Sequence, residues 1–100
     1  MDIEDLRFCN LDFNQLMVDE LIYLLNRCKE TLINVYFLNT KFNGYFDKIV
    51  KSNCLVNINN LFLTNCDISE IPSQLPIYLP NIMYLSFYNN NISEIPISFC

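Results

Sequence analysis

The sequence predicts an α/β protein in which four short strands lie parallel in one sheet, each followed by a segment that carries the chain back to start the next. Three observations predict it. The pentapeptide ISEIP occurs at 68–72 and again at 92–96, a spacing of 24 residues. Extended backwards, both copies fill one template: apolar, two variable, apolar, one variable, apolar, two variable, Cys or Asn, one variable, apolar. Its fixed positions are Ile58, Leu61, Leu63, Cys66 and Ile68 in the first copy, and Ile82, Leu85, Phe87, Asn90 and Ile92 in the second. Two looser copies lie upstream, through Ile3, Leu6, Phe8, Leu11 and Phe13, and through Leu32, Val35, Phe37, Thr40 and Phe42.

Each element follows from residue spacing. The alternation Leu6-Arg7-Phe8 puts two side chains inward and one outward, which a strand requires. After it, Val18, Leu21, Ile22, Leu25 and Cys28 recur at helical spacing and predict a helix over about 16–29. Asp19 and Glu20 precede Arg27 and Lys29 in that segment, an order that suits the helix macrodipole. A second strand follows at Val35-Tyr36-Phe37, and residues 45–53 support one or two helical turns. The third strand is Leu61-Phe62-Leu63. Residues 70–81 then carry Pro72, Pro76 and Pro80. Each proline removes a backbone donor and crowds the preceding turn, so this return is expected to be extended or 3₁₀-like. Leu85-Ser86-Phe87 is the fourth strand. From Leu6 to Val35, Leu61 and Leu85 the steps are 29, 26 and 24 residues.

These positions spell L-x-x-L-x-L-x-x-N/C-x-L, and on them the chain resembles a leucine-rich repeat protein. The resemblance implies a right-handed solenoid of about four coils within one domain, 1–100, with repeats at about 3–31, 32–57, 58–81 and 82–100. The parallel sheet would line the concave face. The helix and the short or extended returns would form the convex face. It also implies that the Asn or Cys after each strand sits inside the turn and bonds to backbone of neighbouring coils. Cys66 and Asn90 fill that place and Thr40 can substitute; Leu11 lacks a side-chain donor. Terminal repeats normally need polar caps. The last copy stops at Ile97-Ser98-Phe99-Cys100 without one, which exposes Phe99 and a strand edge. Three accounts are open: a fragment of a longer array, end-to-end pairing with itself or another protein, or a short chain with a frayed last coil.

Composition narrows the function. Net charge is −5 and every Lys and Arg falls at or before Lys51, so no basic stripe is present. This argues against nucleic acid and against an anionic membrane surface. No apolar run is long enough to span a bilayer. The acidic opening MDIEDLRF is unlike a secretory signal, and an intracellular, cytoplasmic location is expected. Five cysteines without a CxxC pair, in a chain without histidine, do not form a zinc pattern. Reduced and mostly buried thiols are expected instead. With no Gly-rich phosphate loop, no nucleophile elbow and no base beside a cysteine, the chain is expected to be neither an enzyme nor a cofactor carrier.

Binding remains. In leucine-rich repeat proteins, variable positions on the concave sheet touch the partner. Here the central outward column is Arg7, Tyr36, Phe62 and Ser86. It is flanked by Asp5, Asn34, Asn60 and Tyr84 on one side and by Cys9, Leu38, Thr64 and Tyr88 on the other. Tyr36, Leu38, Phe62, Tyr84 and Tyr88 are the candidate patch, an aromatic anchor for a protein or peptide. The plainer reading is that β-propensity and codon bias placed aromatic residues there. Asn10, Asn39, Asn65 and Asn89 form a further column at the strand ends, read as a hydrogen-bonding row or a polar rim. A structural piece that assembles through its ends is the alternative to face binding.

Overall fold

The computed structural model describes residues 2–96. Phe99, Cys100 and the chain end expected to be uncapped lie outside that range. Four strands, β1 (Asp5–Cys9), β2 (Asn34–Leu38), β3 (Asn60–Thr64) and β4 (Tyr84–Ser86), form one sheet in the order β1-β2-β3-β4. All three pairings are parallel. Leu6, Val35, Leu61 and Leu85 are mutual register partners, as the template predicts. Parallel neighbours need a crossover between them. Three helices supply it: α1 (Gln15–Cys28), α2 (Phe46–Lys51) and α3 (Leu75–Tyr78).

Side chains on alternate strand positions meet the helices in a single core. Val35, Phe37, Leu61 and Leu63 from the sheet are buried with Val18, Leu21, Leu25 and Cys28 of α1. Phe46, Ile49 and Val50 of α2 and Leu75 and Leu79 around α3 complete it. Phenylalanines gather in the core beyond the first two strands. Phe37 and Phe42 meet edge to face with centroids 5.0 Å apart, Phe13 stacks on Phe42 at 5.5 Å, and Phe8 stacks on Phe37 at 5.0 Å. Such pairs add roughly 0.5–1.5 kcal/mol beyond the burial of their surface.

Helix α1 starts where Asn14, in extended conformation, accepts from the Met17 N–H at 2.9 Å through Oδ1. That N-cap satisfies one of the first turn's orphan donors. The expected span of 16–29 is thus one residue late at each end. α2 is a short helix, held to α1 by Lys48–Asp19 at 3.4 Å and within itself by Lys51–Asp47 at 3.0 Å. The return through the prolines departs from expectation, since Leu75–Tyr78 is one α-helical turn rather than extended or 3₁₀ chain. Pro76 sits in that first turn, where the missing N–H would have had no intrahelical partner and the fixed φ suits the helix. Pro72 and Pro80 fall outside the turn and bound it.

The turns are closed by the residues that follow each strand. Asn90 Oδ1 accepts from the Cys66 and Ile68 N–H groups at 2.9 and 3.0 Å, and its Nδ2 donates to the Leu63 and Tyr88 carbonyls at 2.6 and 3.1 Å. The Cys66 thiol donates to the Phe37 and Thr64 carbonyls at 3.3 and 3.4 Å. Thr40, the buried polar side chain of the core, accepts from Leu11 N–H at 3.4 Å and donates to the Leu38 carbonyl at 3.1 Å. Each of these residues reaches back to the preceding strand's turn. Leu11 follows β1, and among the described residues no strand precedes β1, so it has no such group to reach.

The candidate binding face

The sheet face turned away from the helices carries the three columns that the template assigns. Asp5, Asn34, Asn60 and Tyr84 are partners in register, as are Arg7, Tyr36, Phe62 and Ser86. Cys9, Leu38 and Thr64 continue the third column, and Tyr88 lies two residues beyond the end of β4.

The central column is a stack. The Arg7 guanidinium lies over the Tyr36 ring, 4.2 Å from its centroid. Tyr36 and Phe62 stack face to face, 4.6 Å apart and within 5° of parallel. Phe62 then meets Tyr84, which comes from the flanking column, at 5.1 Å and a tilt of 34°. The 4.6 Å ring separation is close to the spacing between paired strands, so the sheet itself sets the stacking distance. With their faces turned to one another, Tyr36 and Phe62 present ring edges to solvent. Those edges carry the positive part of the ring quadrupole and suit electronegative groups such as carbonyl oxygens.

A row of amides runs beside the rings. Asn60 Nδ2 donates to Asn34 Oδ1 at 2.6 Å, and Asn34 Nδ2 donates to the Asp5 carboxylate. Of the five candidate residues, the structure brings Tyr36, Phe62 and Tyr84 into contact. Leu38 borders the stack beside Thr64, and Tyr88 stands apart at 72% exposure. Arg7 is not among the five candidates although it shares the central column; its outward position next to Tyr36 is the sequence signal that points to it.

The asparagine column has a backbone explanation. Asn10, Asn39, Asn65 and Asn89 have φ of 60, 51, 54 and 58°, the left-handed region that Asn tolerates and other non-Gly residues avoid. Asn65 Nδ2 also donates to Asn39 Oδ1 at 2.7 Å. These residues end the strands, and a side-chain hydrogen bond joins two of the four, Asn39 and Asn65.

Elsewhere, a cleft of about 610 Å³ opens between the turn at Phe42–Asp47 and the segment Asp67–Ser73. Its carboxylates, Asp47, Asp67 and Glu70, belong to no metal-binding cluster, and among the described residues no group of three or more His, Cys, Asp or Glu could hold an ion. Cys28, Cys54 and Cys66 are buried and unpaired, whereas Cys9 is exposed. Burial pushes the Cys54 and Cys66 thiols above their ordinary pKa, which keeps them protonated and unreactive at neutral pH. Among the described residues no helix is long and apolar enough to cross a membrane. No family model, curated protein or solved structure matches the chain.

Proposed function

We propose that the chain is an intracellular leucine-rich repeat module, a right-handed solenoid of four coils that binds a protein or peptide on the face lined by Tyr36, Leu38, Phe62, Tyr84 and Tyr88. It carries no catalytic centre and needs no cofactor. The observation that supports this reading is the outward stack Arg7–Tyr36–Phe62–Tyr84. Tyr36 and Phe62 are partly buried by their neighbours in the row, Arg7 and Tyr84 at its two ends are exposed, and a contiguous outward row of this kind is a surface a partner can cover. The rings are held by their neighbours, so little side-chain freedom remains to be lost on binding.

Affinity capture from a native extract tests it, comparing the unchanged chain with a Phe62→Ala/Tyr88→Ala double variant. Proteins retained by the first and lost by the second support the face. An identical set from both would refute it. A second reading, assembly through the ends of the sheet, is favoured by one observation: Ile82, Leu85, Phe87 and Ile92 are only partly buried, while their counterparts Ile58, Leu61, Leu63 and Ile68 are in the core. Sedimentation separates the readings, because face binding alone leaves the free chain monomeric.

A further inference from the structure

Among the described residues no strand pairs with the outer edge of β4, and the groups along that edge complement one another. Down the sheet, Asn10, Asn39 and Asn65 donate their N–H to the carbonyls of Leu38, Thr64 and Tyr88 at 2.9, 3.0 and 3.0 Å. In the other direction, the carbonyl of Glu4 accepts from Ile33 and Asn34, that of Ile33 from Asn59 and Asn60, and that of Asn59 from Met83 and Tyr84. The equivalent groups at the fourth strand are the Asn89 N–H and the Met83 carbonyl, and neither is bonded to any described residue. One end of the edge therefore offers a donor and the other an acceptor.

From Met83 to Tyr88 every side chain along this edge except Ser86 is apolar or aromatic. Met83 is 82% exposed and Tyr84 55%. Leu85 and Phe87, which point toward the core, are only partly covered. Past Lys51 the described charges are Asp67, Glu70 and Glu94, so β4 has none of the charged residues that usually keep an edge strand from pairing. The first unit differs, with Asp2, Glu4, Asp5, Arg7 and Asp12 around β1.

We propose that β4 pairs antiparallel with β4 of a second copy of this chain, about a two-fold axis at Ser86. In that register the Met83 carbonyl of each copy accepts from the Asn89 N–H of the other. Leu85 of one copy faces Phe87 of the other on the core side, and Tyr84 faces Tyr88 on the outer side. The apolar side chains left partly or fully open along this edge are covered together. The two sheets join into one of eight strands, and the aromatic rows of the two copies meet at the axis. Closed two-fold pairing of this kind also stops growth at a dimer. Head-to-tail stacking of β1 on β4 fits less well. It brings Leu11 to the Phe87 carbonyl, where Cys66 and Asn90 donate to the equivalent Phe37 and Leu63 carbonyls.

Ser86 gives the test. Tyr84 N–H and Tyr88 C=O point at β3, and two-residue alternation turns the Ser86 backbone the same way. At the axis Ser86 therefore occupies a non-hydrogen-bonded antiparallel position, where Cα atoms lie about 4.5 Å apart, within disulfide reach. In a Cys9→Ser/Cys100→Ser background, Ser86→Cys should oxidise to a covalent dimer at least tenfold faster than Thr64→Cys, which lies on the same face one strand inward. Light scattering on the unchanged chain should give twice 11.8 kDa at high concentration, falling to the single-chain mass on dilution. Met83→Lys should raise the dissociation constant at least tenfold with the circular dichroism spectrum unchanged. A chain that stays monomeric at all concentrations, a Ser86→Cys rate equal to that of Thr64→Cys, or open-ended oligomers would each overturn the proposal.

Discussion

Asn90 carries four backbone hydrogen bonds on one side chain, two accepted by Oδ1 and two donated by Nδ2. A bond of this kind contributes about 1 kcal/mol net, and a buried group left without its partner costs about 1–3 kcal/mol. Asn90→Ala should therefore lower stability by about 3–5 kcal/mol in urea unfolding. Asn90→Asp should cost less, because the carboxylate keeps both accepted bonds and loses only the donated ones. An Asp variant as damaging as the Ala variant would show that the donated bonds carry the turn. The sequence shows this role through spacing, since Asn90 and Cys66 share a template position. It hides the neighbouring role: Asn89 looks like one more Asn among many, and only its φ of 58° shows why the column is uniform.

Strand register is the most legible feature among the elements. Four apolar-x-apolar triplets at steps of 29, 26 and 24 residues align Leu6, Val35, Leu61 and Leu85, and the ladder pairs those same residues. The helix α1 is equally legible, because its apolar stripe is long enough to show the helical period. α3 is not, because a single turn has no period and three prolines argue against any helix. Their placement decides the outcome, with Pro76 inside the first turn and the other two outside the helix. Pro76→Ala should consequently lower stability by about 0.5–1 kcal/mol rather than raise it, since it frees the unfolded chain without relieving strain in the folded one. Thermal unfolding of the variant measures the sign. The aromatic row is legible by column but not by contact: nothing in the spacing says that Tyr84 leaves its own column to meet Phe62, or that Arg7 covers Tyr36.

For the whole molecule, burial falls from the centre to the ends. Val35, Phe37, Leu61 and Leu63 are fully enclosed, while Leu6, Phe8, Leu85 and Phe87 are only partly covered. Local opening follows burial. Amide exchange should be slowest in β2 and β3 and at least tenfold faster in β1 and β4 at low protein concentration; uniform protection across the sheet would contradict this gradient. The direction of the turn bonds has a further consequence during synthesis. Thr40 serves Leu11, Cys66 serves Phe37 and Asn90 serves Leu63, at separations of 29, 29 and 27 residues. A ribosome adding about 5–20 residues per second leaves each of these groups waiting about 1–6 seconds for a partner that has not yet been translated. The nascent chain thus cannot finish any turn alone, and its maturation must trail elongation by one full circuit.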